Sequence, residues 1–126
     1  MTPVWIDERD ARAIHERLLL VHGGAGGIRD PGLLASAIAR PRQVAAYDKD
    51  ADLIDLAAAY TSGVVGNHAF TDGNKRTGFV LGVLFLELNG LRFTASEEAA
   101  TAAVMGLADG SLDEGGYAAF LRENVE

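Results

Sequence analysis

The chain has 126 residues, enough for a single domain (residues 1–126) with one core and no separate regulatory unit. It contains no cysteine, which excludes disulfides, thiolate metal sites and cysteine nucleophiles, and its 48% hydrophobic and 23% charged residues exclude a disordered polymer. A net charge of −7 and a pI near 4.8 argue against direct nucleic-acid binding, and no apolar stretch is long enough to span a membrane.

The opening segment MTPVWIDERD lacks a basic stretch followed by an apolar run, so the expected location is cytoplasmic. A first amphipathic helix is predicted from about Asp7 to Val21, with Asp7 as its cap and Ala11, Ile14 and Leu18 facing inward. Gly23 and Gly24 end it, and the segment His22 to Asp30 reads as a flexible connector with four glycines. Asp30-Pro31 starts a second helix, predicted to be short and to stop before Pro41. A third is predicted over about Ala51 to Val65. The fourth, Asn74 to Leu88, is apolar on nearly every side, as in a central helix. Thr94-Ala95-Ser96-Glu97 and Ser111-Leu112-Asp113-Glu114 fit capping boxes for a fifth and a sixth. No segment alternates as a strand, although Leu91-Arg92-Phe93 and the region of Ile28 fit short extended pieces. The expected fold is an all-α bundle of about six helices around the fourth.

The segment Asn67-His68-Ala69-Phe70-Thr71-Asp72-Gly73-Asn74-Lys75-Arg76-Thr77 joins the third and fourth helices. Lys75 and Arg76 fall in the first turn of the fourth helix, the end at which cations are unfavourable because the helix dipole is positive there. Free N–H groups, the dipole and two cations together make a phosphate site. Gly73 lets a ligand approach the backbone closely, and Asn74 can orient a phosphate oxygen or cap the turn. Asp72 supplies the hard oxygen that Mg²⁺ needs beside phosphates, and the imidazole of His68 can take a proton from an attacking hydroxyl. Thr71 and Thr77 are weaker candidates. Singly, each residue also fits a plainer role: Asp72 as a helix cap, Phe70 as a hydrophobic anchor, Lys75 and Arg76 as solvated side chains. The segment is not a Walker A loop, since the Gly-Lys-[Ser/Thr] ending is absent.

His68-Ala-Phe-Thr-Asp72-Gly-Asn-Lys75-Arg76 resembles the signature of the Fic/Doc superfamily, whose Fic branch reads H-P-F-x-[D/E]-G-N-G-R-x-x-R and whose Doc branch reads close to H-x-F-x-[D/N]-[A/G]-N-K-R. The resemblance extends to Gly27-Ile-Arg-Asp-Pro-Gly-Leu-Leu before the motif and to Phe85-Leu-Glu-Leu-Asn-Gly after it. It implies nucleotide chemistry with ATP and Mg²⁺, in which His68 is the base, Asp72 binds the metal, and Gly73, Asn74, Lys75 and Arg76 bind phosphate. Fic proteins mostly transfer AMP to a protein hydroxyl. Doc, the death-on-curing toxin, acts as a kinase that transfers the terminal phosphate to elongation factor Tu and so inhibits translation.

Two departures favour the Doc reaction over the Fic one. Lys75 replaces the second motif glycine, and Phe79 replaces the distal arginine, which removes a phosphate contact worth about 1.5–3 kcal/mol. The inhibitory helix motif [S/T]-x-x-x-E-[G/N] of Fic proteins is not matched; Thr94-Ala-Ser-Glu-Glu98-Ala99 fails at its last position. The resemblance then implies a separate antitoxin, Phd-like, inhibiting in trans as in a toxin–antitoxin system. An AMP transferase and a non-catalytic nucleotide- or protein-binding module are the alternative readings. Arg29, Asp30, Arg40 and Arg42 fit either a role near the site or surface ion pairs.

Overall fold

The computed structural model describes residues 2–126 as six helices. They are α1 (Glu8–His22), α2 (Pro31–Tyr47), α3 (Leu53–Asn67), α4 (Asn74–Leu88), α5 (Glu97–Asp109) and α6 (Glu114–Glu123). Among the described residues, the only extended pairings are two isolated antiparallel bridges, Ile28 with Phe70 and Phe93 with Val125. One partner of each, Ile28 and Phe93, lies in a region that the sequence offers as extended; Phe70 and Val125 carry no such signal.

The core forms around α3 and α4, which lie side by side; α3 also contacts α2, α5 and α6, and α4 contacts α1 and α5. Their close approach depends on missing side chains. A Cβ at Gly82 would collide with the Thr61 hydroxyl, and one at Gly78 would lie 3.1 Å from the Thr61 carbonyl. Thr61 Oγ1 uses that proximity to donate to the Gly78 carbonyl at 2.7 Å. Tyr60, fully buried, ties the N-terminal segment to the core: its hydroxyl accepts from the Ile6 N–H and donates to the Ile6 carbonyl. The apolar α4 is not covered all round. Phe79, Val80 and Val83 are half-buried and line a cleft of about 610 Å³ against α1 and α5.

Three predicted boundaries are corrected. The second helix does not stop before Pro41; α2 runs through it to Tyr47, with Pro41 buried. Proline lacks the N–H that would serve the Ala37 carbonyl. That carbonyl packs against α3, where a Cβ at Gly63 would stand 3.3 Å from it. The fifth helix is capped by Ser96, not Thr94. Thr94 donates its N–H to the Asn124 carbonyl and Phe93 bridges Val125, which hold the chain extended beyond Thr94. The sixth is capped by Asp113, not Ser111, because Ser111 and Leu112 are bound back to Asp109 and Gly106 in a turn.

Candidate active site

The loop between α3 and α4 is held from four directions. At its entrance, His68 ends α3 in the left-handed conformation (φ 51°, ψ 50°), the only described non-glycine residue with positive φ. Its N–H still reaches the Val64 carbonyl. The carbonyls of Asn67 and His68 then lack helical partners. Arg29 serves both: its Nε donates to the His68 carbonyl at 2.7 Å and its Nη2 to the Asn67 carbonyl at 3.0 Å.

In the middle of the loop, Asn74 clasps Phe70. Asn74 Oδ1 accepts from the Phe70 N–H and Asn74 Nδ2 donates to the Phe70 carbonyl, both at 2.9 Å and buried. The turn-capping option for Asn74 is therefore the geometry observed, and both ends of its side chain are occupied. The fully buried Phe70 ring anchors the loop and stacks on His15 of α1, with centroids 3.8 Å apart. His15 Nε2 lies 2.8 Å from the Asp72 carbonyl oxygen, so this nitrogen carries the proton and donates.

The glycine-bearing segment after α1 is the fourth constraint, and it is more than a connector. The Ala25 N–H donates to Asp72 Oδ2, and Gly27 accepts from the Thr71 N–H. Gly24, at φ +121°, has no room for a side chain: its Cβ would stand 2.8 Å from Asp72 Oδ2. Asp72 Oδ1 accepts from the Gly73 N–H. The backbone N–H groups of Ala25 and Gly73, aided by Arg76 and His15, hold the exposed Asp72 carboxyl below its ordinary range. It is thus a fixed carboxylate with spare lone pairs on each oxygen.

At the exit, α4 begins differently from the other helices. Asp7, Asp30, Asp52, Ser96 and Asp113 each cap their helix through a side chain. At α4 the cap is Gly73 (φ 78°), with no side-chain bond to the first turn. Lys75 and Arg76 are exposed in that turn, and neither forms an ion pair among the described residues. The start of α4 therefore keeps its free N–H groups and adds two cations. Asp72 lies one residue before the Gly73 cap, and the exposed His68 stands at the other end of the same loop.

The model of the Fic/DOC family matches residues 5–86, which include the loop, α3, most of α4 and the Arg29 arm. The chain belongs to the Fic/DOC family. It is 33% identical over 117 residues to the protein kinase doc of Escherichia phage P1, covering 93% of this chain and 92% of that one. It is 44% identical over 78 residues to the toxin Doc of Mycolicibacterium smegmatis, covering 60% of this chain and 59% of that one. Both relatives place it in the Doc branch.

In this Fic/DOC chain the residues that the sequence leaves open between the site and surface ion pairs divide. Arg40 pairs with Glu114 of α6, Arg42 lies over the Trp5 ring at 5.2 Å, and Asp30 caps α2, so these three stay out of the site. Arg29 alone of that group joins it. His15 was not singled out by sequence; its only signal was a polar residue four after Ala11 on the inward stripe of α1. Thr77 is fully buried, its hydroxyl without a hydrogen-bond partner among the described residues.

Proposed function

We propose that this chain is a Doc-type toxin, a kinase that moves the γ-phosphate of ATP onto a Ser or Thr hydroxyl of a protein. The observation that carries the reading is the uncapped start of α4, where free N–H groups, Lys75 and Arg76 meet beside the fixed Asp72 carboxylate. An anion satisfies the free N–H groups and pairs with both cations. Gly73 and the backbone of Asn74 approach the phosphates, while the Asn74 side chain keeps the loop closed around them.

Asp72 would hold Mg²⁺, which offsets phosphate charge when bound. The fit rests on its donor set: one ionised carboxylate, with no group of three metal-ligating side chains among the described residues, suits an ion whose other ligands are phosphates and water. His68 accepts the proton of the target hydroxyl, and Lys75 and Arg76 stabilise the charge on the transferred group. Phe79 supports γ-transfer over AMP transfer. It packs edge-on against Phe93 with centroids 5.6 Å apart in the cleft, where AMP transfer in the Fic orientation would need an arginine to grip a phosphate.

Elongation factor Tu is the target that the Doc resemblance implies, and the cytoplasm is the place of action; no described helix is long and apolar enough to cross a membrane. A Phd-like antitoxin restrains the enzyme by laying an amphipathic helix in the cleft lined by Leu18, Phe79, Val83, Val104 and Met105, whose charged lining is Lys75, Arg76 and Glu97. The test is incubation with Mg²⁺, a purified elongation factor and ATP labelled at the α or the γ position, with His68→Ala as control. Label from γ alone, absent in the variant, is the expected result. Label from α makes the chain an AMP transferase. Transfer of neither label, with nucleotide still bound, makes it a binding module.

A further inference from the structure

We infer that Arg29 is a positioning residue for His68, holding the base of the proposed phosphotransfer in its left-handed conformation from outside the motif. The inference rests on the kinase reading for its kinetic consequence, and on geometry alone for its structural one. A non-glycine residue in this conformation is sterically disfavoured and persists only where its surroundings fix it. His68 is the one described case in the chain. It also ends a helix whose last turn has no basic residue, so nothing within α3 itself offsets the negative end of its dipole.

Arg29 supplies both missing elements from a segment 38 and 39 residues away in sequence. Its guanidinium brings positive charge to the end of α3, and its fork closes on the carbonyls of Asn67 and His68 together. The rest of the arm does not need this side chain. The N–H groups of Arg29 and Asp30 both reach the Ala69 carbonyl, the Thr71 N–H reaches Gly27, and Ile28 bridges Phe70. These main-chain bonds survive any substitution at position 29 except proline. What the guanidinium adds is confined to the peptide units on either side of the His68 Cα and N–H.

Arg29→Ala therefore leaves the arm docked and releases the base. The nucleotide contacts lie at the other end of the loop, so kcat falls about 10- to 100-fold while KM for ATP stays within about twofold. Arg29→Lys, with one donor group in place of the fork, recovers part of kcat. Independently of turnover, the backbone order parameter at the His68 amide falls from a rigid value of about 0.85 to below about 0.6 in Arg29→Ala, while those of Phe70 and Asn74 stay unchanged. An unchanged order parameter at His68, or a kcat loss matched by an equal rise in KM, overturns the inference. If the unsubstituted protein transfers no γ-phosphate, the kinase reading falls instead, and the His68 order parameter still decides the role of Arg29.

Discussion

His15 Nε2 donates to the main-chain carbonyl of Asp72 at 2.8 Å, across 57 residues of chain, while its ring lies flat on Phe70. One buried side chain thus fixes both the anchor of the loop and the peptide that carries its carboxylate. The two functions can be separated. His15→Phe keeps the stack and loses the donor, at a cost of ~1 kcal/mol or roughly fivefold in an equilibrium constant. His15→Gln keeps a donor near the Nε2 position and loses the stack. Mn²⁺ binding in the presence of ATP, followed by the spin-resonance signal of the free ion, is expected to weaken about fivefold in His15→Phe. It should stay near the original value in His15→Gln, whose Tm falls instead. Equal binding by both variants would show that the bond to Asp72 does not set the metal site.

Asn74 offers a sharper contrast between two roles. Its amide serves the buried N–H and carbonyl of Phe70, and truncation leaves both without partners. Asn74→Ala is expected to lose about 2–4 kcal/mol of stability, a fall in Tm of roughly 8–20 °C for a domain of this size. Thermal unfolding followed by circular dichroism measures it. A side chain that bound phosphate and did not clasp the loop would give the opposite pattern: an unchanged Tm and a raised KM.

The glycines on the α3–α4 seam predict stability in both directions. Gly82→Ala places a Cβ against the Thr61 hydroxyl and 3.1 Å from the Ala57 carbonyl, in a contact between two backbones that cannot separate without opening the core. Overpacking of this kind costs about 1–3 kcal/mol. Gly66, near the end of α3 and away from this contact, has nothing within 4 Å of its would-be Cβ. Gly66→Ala is therefore expected to stabilise by up to ~1 kcal/mol through helix propensity alone. Urea titration of the pair reads both signs, and destabilisation by both changes would refute this account of the seam.

The sequence carried the motif and its helix legibly because that information is local. Gly73 before Asn74 and Asn89-Gly90 after Leu88 punctuate α4, and its predicted limits are those observed. Pro41 misled because the penalty for an interior proline depends on what surrounds the freed carbonyl, here Gly63 of another helix. Thr94 and Ser111 were acceptable caps, displaced by bonds to Asn124 and Gly106 that no local pattern encodes. The site divides in the same way. His68, Asp72, Lys75 and Arg76 sit within nine residues, whereas His15, Gly24, Ala25 and Arg29 reach it from α1 and the arm that follows. Four glycines in that arm read locally as slack, but the Asp72 carboxylate occupies the space that a side chain at Gly24 would take.

Acid sensitivity should appear at the far end of α3, remote from the site. Asp52 caps this helix through the Asp55 N–H at 2.9 Å and also accepts from Arg122 of α6 at 2.9 Å. Burial alone would raise the Asp52 carboxyl; the Asp55 N–H and the Arg122 guanidinium outweigh it and hold the group below 3.8. A carboxylate depressed in the folded state binds its proton more readily in the unfolded chain. Its stabilisation is therefore complete above the unfolded value near 3.8 and is lost as pH falls through the lower folded value. Both side chains of the pair are about half exposed, so the Arg122 contribution is limited to ~1 kcal/mol. Arg122→Met keeps the length of the stem and removes the charge. Its stability deficit is expected to be full at pH 7, to shrink on acidification below about pH 4, and to shrink also in ~1 M salt. A deficit constant across pH and salt would mean that Arg122 joins α6 to α3 by packing its stem, and that its charge contributes nothing.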